Sequence, residues 1–412
     1  MKFSIETQDA FIDRLTHEVN QGRLEELKIS TMNLFARPGS RVYKFLWAIK
    51  NSNFERGTDF KVFYDRRYAK RFVALPDGHY VFRRSIWDPD KWLQKIEPSK
   101  VSRQTLKEFG DIVIDLPPRH YQTDNKAGFW RRLFSWHLLQ FLSASHVKAA
   151  LTKHKNRRMA ASIMTGELSS ESKQNNMILT FFGVPTAVNF IDIILNPRSE
   201  IGPLTYAIEK ITSKISLIVD YGNYGDPWQI SEIHKQAEMM INPASSPQFH
   251  RGKPESVRPT NVLLLSQYVP SGRILKALNI AAKPQDDGGY GARVVVPLQP
   301  SDDYRRKDLG FRILFGMFKK HKSDLINVPI RPVPSHVKCL VVKYDDGSMS
   351  MNFGSDNFDS TADSFYRNTE LAVQITRVKW GDTGFKIINR MLDKFVETHE
   401  ISKTERDKFN GK

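Results

Sequence analysis

The stretch "SHVKCLVVKYDDGSMSMNFGSDNF", Ser335–Phe358, decides how the chain is read. "HVKCLVV" alternates and is rich in β-branched residues, which marks a strand. Side chains two apart on a strand share a face, so His336 and Lys338 point together, followed by Leu340 and Val342. Val337, Cys339 and Val341 take the other face. "DDGS" predicts a tight turn, because Asp-Gly tolerates positive φ angles. The return strand then carries Gly354, Ser355 and Asn357 back toward the His336 end. One hairpin gathers an imidazole, an ammonium, a hydroxyl and an amide at one edge.

These residues resemble the motif of the phospholipase D superfamily: His-x-Lys, an Asp, then Gly-Ser-x-Asn. They are His336, Lys338, Asp345, Gly354, Ser355 and Asn357. The acidic residue stands later than in the usual pattern, with Asp346 as a second candidate. Several residue types at set separations, in a strand–turn–strand context, make the match specific.

Upstream, "NVLLLSQYVPSGRILKALNIAAK" reads as a buried strand, a turn and an amphipathic helix. "GARVVVPL" reads as a second strand and "DLGFRILFGMFKKH" as a helix. The same order opens the chain. "LKISTMNLFARPGSRVYKFLWAIKNS" is strand, turn and helix, and "FKVFYD" is a strand. The turn–helix junctions align, with Arg41 beside Arg273, Lys44 beside Lys276 and Leu46 beside Leu278. A second "SHVK" supplies His146 and Lys148. The step from His336 to Ser355, taken from His146, lands on Thr165; the step to Asn357 lands on Glu167. Lys155 takes the place of Asp345, so this first copy is degenerate.

The resemblance implies an α/β fold of two phospholipase D-like repeats, each a mixed sheet flanked by helices, packed about a pseudo-two-fold axis. The expected domains are 1–200, with a long insertion, and 201–412. "LTYAIEKITSKISLIVD" reads as a helix and a strand opening the second domain. The charged tail after about 400 is expected to fray.

Composition limits the function classes. The chain has 412 residues, 40% hydrophobic and 26% charged, enough for two cores. A net charge of +17 favours polyanions, either nucleic acid or an anionic membrane surface. One cysteine excludes an internal disulfide and fits a reducing compartment. The N-terminus lacks the apolar core of a signal peptide, and no apolar run approaches the ~18 residues of a membrane span. A cytoplasmic protein, peripheral where it meets a membrane, is expected. No zinc cluster or Walker-type loop is present, so no metal or nucleotide cofactor is expected.

The resemblance also implies the chemistry. One histidine attacks phosphorus and forms a phosphohistidine, and the other protonates the leaving oxygen. Lys148 and Lys338 neutralise the non-bridging oxygens. Ser355, Asn357 and Thr165 position the phosphate, with Glu167 in the amide's place. Asp345 or Glu370 orients an imidazole. The substrate is expected to be a phospholipid, because "GFWRRLFSWHLLQFL" (Gly128–Leu142) mixes aromatic and basic residues as an interfacial helix does. Nucleic acid is the alternative, supported by "KHKNRR" (Lys153–Arg158) and "YRRK" (Tyr304–Lys307). An inactive binding module is the third reading, supported by the degenerate first motif.

Overall fold

The computed structural model describes residues 1–31, 34–64, 72–74, 80–82, 100–116, 145–169, 176–196, 205–221, 231–243, 257–266, 270, 272–284, 291–298, 330–332, 335–356, 358 and 368–410. The Gly128–Leu142 segment, the Asp308–His321 helix reading, Tyr304–Lys307 and Asn357 lie outside these residues. The chain forms two compact units, Met1–Leu204 and Thr205–Lys412.

The first unit runs β1 (Lys2–Thr7), α1 (Gln8–Asn20), β2 (Leu24–Thr31), β3 (Leu34–Phe35), α2 (Arg41–Arg56), β4 (Lys61–Tyr64), β5 (Phe72–Ala74) and β6 (Tyr80–Phe82). It continues with α3 (Lys100–Phe109), β7 (Val113–Asp115), β8 (Ala149–His154), β9 (Met159–Met164), β10 (Leu168–Ser169), β11 (Met177–Phe182) and α4 (Pro185–Leu195). Its main sheet has the order β1-β11-β9-β8-β2-β4-β7. Local chemistry sets the helix ends. Thr7 caps α1 by accepting from Ala10 N, and Ser40 caps α2 by accepting from Tyr43 N. Gly57, at φ 64°, ends α2 in the left-handed region. Phe11, Leu15, Phe45 and Ile49 from α1 and α2 are buried with Leu27, Ile29, Val62 and Ala150 of the sheet. Each large apolar side chain so buried contributes roughly 1.5–3 kcal/mol.

The second unit runs β12 (Tyr206–Lys210), β13 (Ile215–Asp220), α5 (Glu232–Ile241), β14 (Pro259–Leu265), α6 (Gly272–Ala282), β15 (Arg293–Leu298), β16 (Ile330–Pro332), β17 (Cys339–Tyr344), β18 (Met349–Gly354), β19 (Glu370–Val378), α7 (Thr383–Glu397) and α8 (Lys403–Asn410). Its sheet has the order β12-β13-β19-β18-β17-β14-β15-β16. Without the edge strand β12, it matches the first sheet strand for strand. Val262, Leu264, Leu340 and Val342 pack with Ala237 and Met240 of α5 and Ile274 and Leu278 of α6.

Two expectations are corrected. The segment read as helix plus strand is a β12–β13 hairpin, with Ile208 opposite Ile218. Its exposure alternates along β12, so a period of two wins over the helical reading. The tail does not fray as expected: α8 is anchored by Arg406, whose Nε donates to Asp393 Oδ1 at 2.7 Å and whose Nη2 donates to Asn389 Oδ1 at 3.1 Å.

Candidate active site

The two hairpins β8–β9 and β17–β18 are superimposable in register. Ala149 faces Ile163 and Lys153 faces Met159; Cys339 faces Phe353 and Lys343 faces Met349. His146 and His336 each stand three residues ahead of the first ladder residue. Just beyond the ladder, Met164 N donates to Lys148 O (2.9 Å) and Gly354 N to Lys338 O (3.3 Å). The repeat inferred from "SHVK" is therefore a repeat of hydrogen bonds.

Both motif lysines are buried: Lys148 is 1% exposed and Lys338 0%. A buried ammonium is costly unless it meets acceptors or anions. Lys338 Nζ lies 2.8 Å from His336 Nδ1 and 3.0 Å from His336 O. The same Nζ lies 3.3 Å from His336 Nε2, so the ammonium sits along the edge of the imidazole. Among the described residues, none accepts a hydrogen bond from Lys148 Nζ. His336 is 8% exposed, and His146 is half-buried.

Ser355 completes this end of the second sheet. Its amide donates to Leu371 O (2.9 Å), its Oγ accepts from Leu371 N (2.9 Å), and its hydroxyl donates to Glu370 Oε2 (2.5 Å). The first unit repeats the pattern at Thr165, whose amide donates to Met177 O and whose Oγ1 accepts from Met177 N, both at 3.0 Å. Asn176 therefore stands where Glu370 stands, and its Nδ2 donates to Gln8 Oε1 at 2.6 Å. Glu167 is half-buried, and its backbone oxygen accepts from Gln8 Nε2 at 2.5 Å. Gly354 is required by close approach: a Cβ there would lie 2.1 Å from Leu371 O.

No family model and no curated protein matches the sequence. Solved structures do. Phosphatidylserine synthase of Haemophilus influenzae Rd KW20 matches over 96% of this chain and 86% of its own, with a TM-score of 0.54 at 10% identity. The chain has a phospholipase D-like fold. Weaker likenesses extend to polyphosphate kinase from Porphyromonas gingivalis (TM-score 0.48, 12% identity, 95% of this chain). This chain spans about half of that one, 49% of its length. Yeast tyrosyl-DNA phosphodiesterase matches at TM-score 0.44 and 9% identity, over 91% of this chain and 90% of that one.

Within this phospholipase D-like fold the structure brings His336, Lys338, Ser355 and Glu370 to one end of the second sheet, and His146, Lys148 and Thr165 to the matching end of the first. Asp345 is not brought there. It is exposed in the β17–β18 turn, where its Oδ1 accepts from Arg258 N at 3.2 Å. A strand of this length at ~3.3 Å per residue puts that turn about 20 Å from the His336 end. The role expected for Asp345 is thereby corrected: a residue that makes the turn of a hairpin cannot also stand at its open end. Asp346 is in the same turn, bound to Arg377 and Lys379.

Sequence reasoning missed Asn176, His234 and Asp356. Asn176 was within reach, since "NNMI" in the first repeat occupies the place of "TELA" in the second. His234, on α5, carried no signal, because its contact to Asp356 Oδ1 (3.1 Å) spans more than a hundred residues of chain.

Proposed function

We propose that the chain is a phosphodiesterase or phosphatidyltransferase that acts on phospholipids through a covalent phosphohistidine. The carrying observation is that each repeat buries a lysine two residues beyond a histidine, at the same place in the sheet. Two buried cations suit one phosphodiester, whose spreading negative charge they stabilise as the transition state forms.

His146 attacks phosphorus, forming the N–P bond as the P–O bond to the leaving alcohol breaks. His336, protonated to imidazolium once the phosphate takes up the Lys338 ammonium, gives a proton to that oxygen and becomes neutral. It then takes a proton from water or a second alcohol, whose oxygen attacks phosphorus and breaks the N–P bond. Ser355, Thr165 and Asn357 position the phosphate, Glu167 stands beside them in the first motif, and Glu370 orients an imidazole. This route draws on no metal. The lipid reading is supported by the likeness to a phosphatidylserine synthase. Peripheral rather than spanning contact fits it, because among the described residues no helix is long and apolar enough to cross a membrane. A second reading, nucleic-acid phosphodiesters, is favoured by the exposed β8–β9 turn, which carries Lys155, Arg157 and Arg158.

The test is a rapid alkaline quench with phosphatidyl and oligonucleotide substrates in parallel. The lipid substrate should leave an adduct on the wild-type chain, none on His146→Asn, and a persistent one on His336→Asn. Adduct in both single variants would refute the two-histidine scheme, and adduct from the oligonucleotide alone would establish the second reading.

A further inference from the structure

Behind Ser355 lies a buried pair that the proposed chemistry does not use. Asp356 follows Ser355 directly and is 3% exposed. Its Oδ1 accepts from Phe358 N at 2.8 Å and meets Nε2 of His234, 0% exposed on α5, at 3.1 Å. A carboxylate has no proton to give, so the imidazole donates through Nε2. The ring stacks on Phe358, with centroids 6.2 Å apart and planes 22° from parallel. The helix end that presents His234 is itself pinned. Ser231 caps it, and Glu232 N donates to Asp220 Oδ2 at 3.0 Å. Asp220 stands opposite Glu370 in the β13–β19 ladder. The start of α5 thus meets Asp356, the residue after Ser355, and Asp220, the ladder neighbour of Glu370.

The first repeat is built differently. Gly166 occupies the place of Asp356, and a Cβ there would lie 1.8 Å from Asn176 Cγ. A neutral Asn176–Gln8 contact fills that space. Among the described residues, the charged, directional prop stands in the repeat that carries Glu370 and the full Gly-Ser-x-Asn sequence.

We infer that His234 is a positioning residue for the phosphate site: its bond to Asp356 fixes the backbone that aims the Ser355 hydroxyl. This rests on the phosphodiester reading given above, and it names a residue that touches neither phosphate nor nucleophile. Two amide replacements separate geometry from charge. Glutamine places its Nε2 near the position of the imidazole Nε2 and reaches Asp356, whereas asparagine is one methylene short and does not.

The experiment measures kcat and KM on bis(p-nitrophenyl) phosphate, and inorganic phosphate affinity by calorimetry, for wild type, His234→Gln, His234→Asn and His234→Ala. All are assayed well below each variant's melting temperature. His234→Asn and His234→Ala should lose kcat about tenfold or more with KM changed less than about threefold. Both should bind phosphate about tenfold more weakly, and His234→Gln should stay within about threefold of wild type throughout. If His234→Ala does not fold, the glutamine–asparagine comparison decides alone. Equal losses in glutamine and asparagine variants that track melting temperature, or wild-type kcat in His234→Ala, would overturn the inference. A wild-type chain that binds phosphate without turnover defeats the phosphodiesterase reading. The inference then stands or falls on whether the phosphate affinities divide the variants as stated. A wild-type chain that binds no phosphate overturns both.

Discussion

Arg157 holds a left-handed backbone, φ 63°, at the hairpin position that Gly347 fills, at φ 76°, in the second repeat. The turns share their hydrogen bonds: Arg157 N donates to His154 O (2.8 Å) and Gly347 N to Tyr344 O (3.1 Å). The mirror case is Arg377, at φ 50°, where the first repeat has Gly183 at φ 66°. Arg377 has compensation, since its guanidinium lies 4.4 Å from the Tyr344 ring centroid and 3.3 Å from Asp346 Oδ2. Arg157 is exposed. A side chain in this region costs more than glycine's extra freedom does, so Arg157→Gly should stabilise the fold by about 0.5–1 kcal/mol. Arg377→Gly should not stabilise it. Urea melts of both variants check the pair, and a destabilised Arg157→Gly would count against the strain argument.

Lys148→Met keeps the volume of a buried side chain and removes its charge. With the residue 1% exposed, its charge is held at a cost in stability. The variant should melt at or above the wild-type temperature while phosphodiester turnover falls by about 10²–10³. Thermal melts and turnover on one preparation check both. A variant that loses stability and activity together would show that Lys148 is structural.

Asn352, 1% exposed on β18, has no hydrogen-bond partner for Nδ2 or Oδ1 among the described residues. The matching residue in the first repeat, Ser162, bonds Thr180 Oγ1 across the ladder at 2.8 Å. A buried amide without partners costs about 1–3 kcal/mol. Asn352→Leu should therefore raise the melting temperature, as scanning calorimetry would show.

Asp346 has its carboxyl pKa lowered from 3.8 to about 2. Burial opposes this shift; hydrogen bonds from the Ser348 hydroxyl and amide, with Lys379 and Arg377, outweigh it. A depressed folded-state pKa gives stability that is present above the unfolded value and lost as pH falls through the folded one. Asp346→Asn should be less stable than wild type at pH 7. The difference should shrink from about pH 4 and vanish near pH 2. A gap that persists unchanged at pH 2 would exclude the ionic contribution.

The repeat was legible because period-two alternation and tight-turn chemistry are local. "SHVK", Thr165 and Ser355 could be aligned from spacing, and the ladders place them alike. The acidic position was misread for the same reason: Asp345 was assigned by motif order, yet turn geometry claims it. Asp356 and His234 were invisible because their contact joins elements far apart in the chain. The β12–β13 hairpin was missed because Thr, Ser and Lys at its turn do not carry the Asp-Gly signature that exposed the other one.

Cys339 faces inward on β17, 0% exposed, and burial pushes its thiol pKa well above the usual range. It is the sole cysteine of the chain. Its thiolate fraction at neutral pH is negligible, so alkylating reagents and maleimide dyes should pass it by. The wild-type background is then silent to thiol labelling. A pair of cysteines introduced at Lys155 and Asp345, the tips of the two equivalent hairpins, would carry spectroscopic probes without prior removal of the native residue. The separation of the two units in solution, and its response to a bound phosphodiester, becomes a distance that can be read directly.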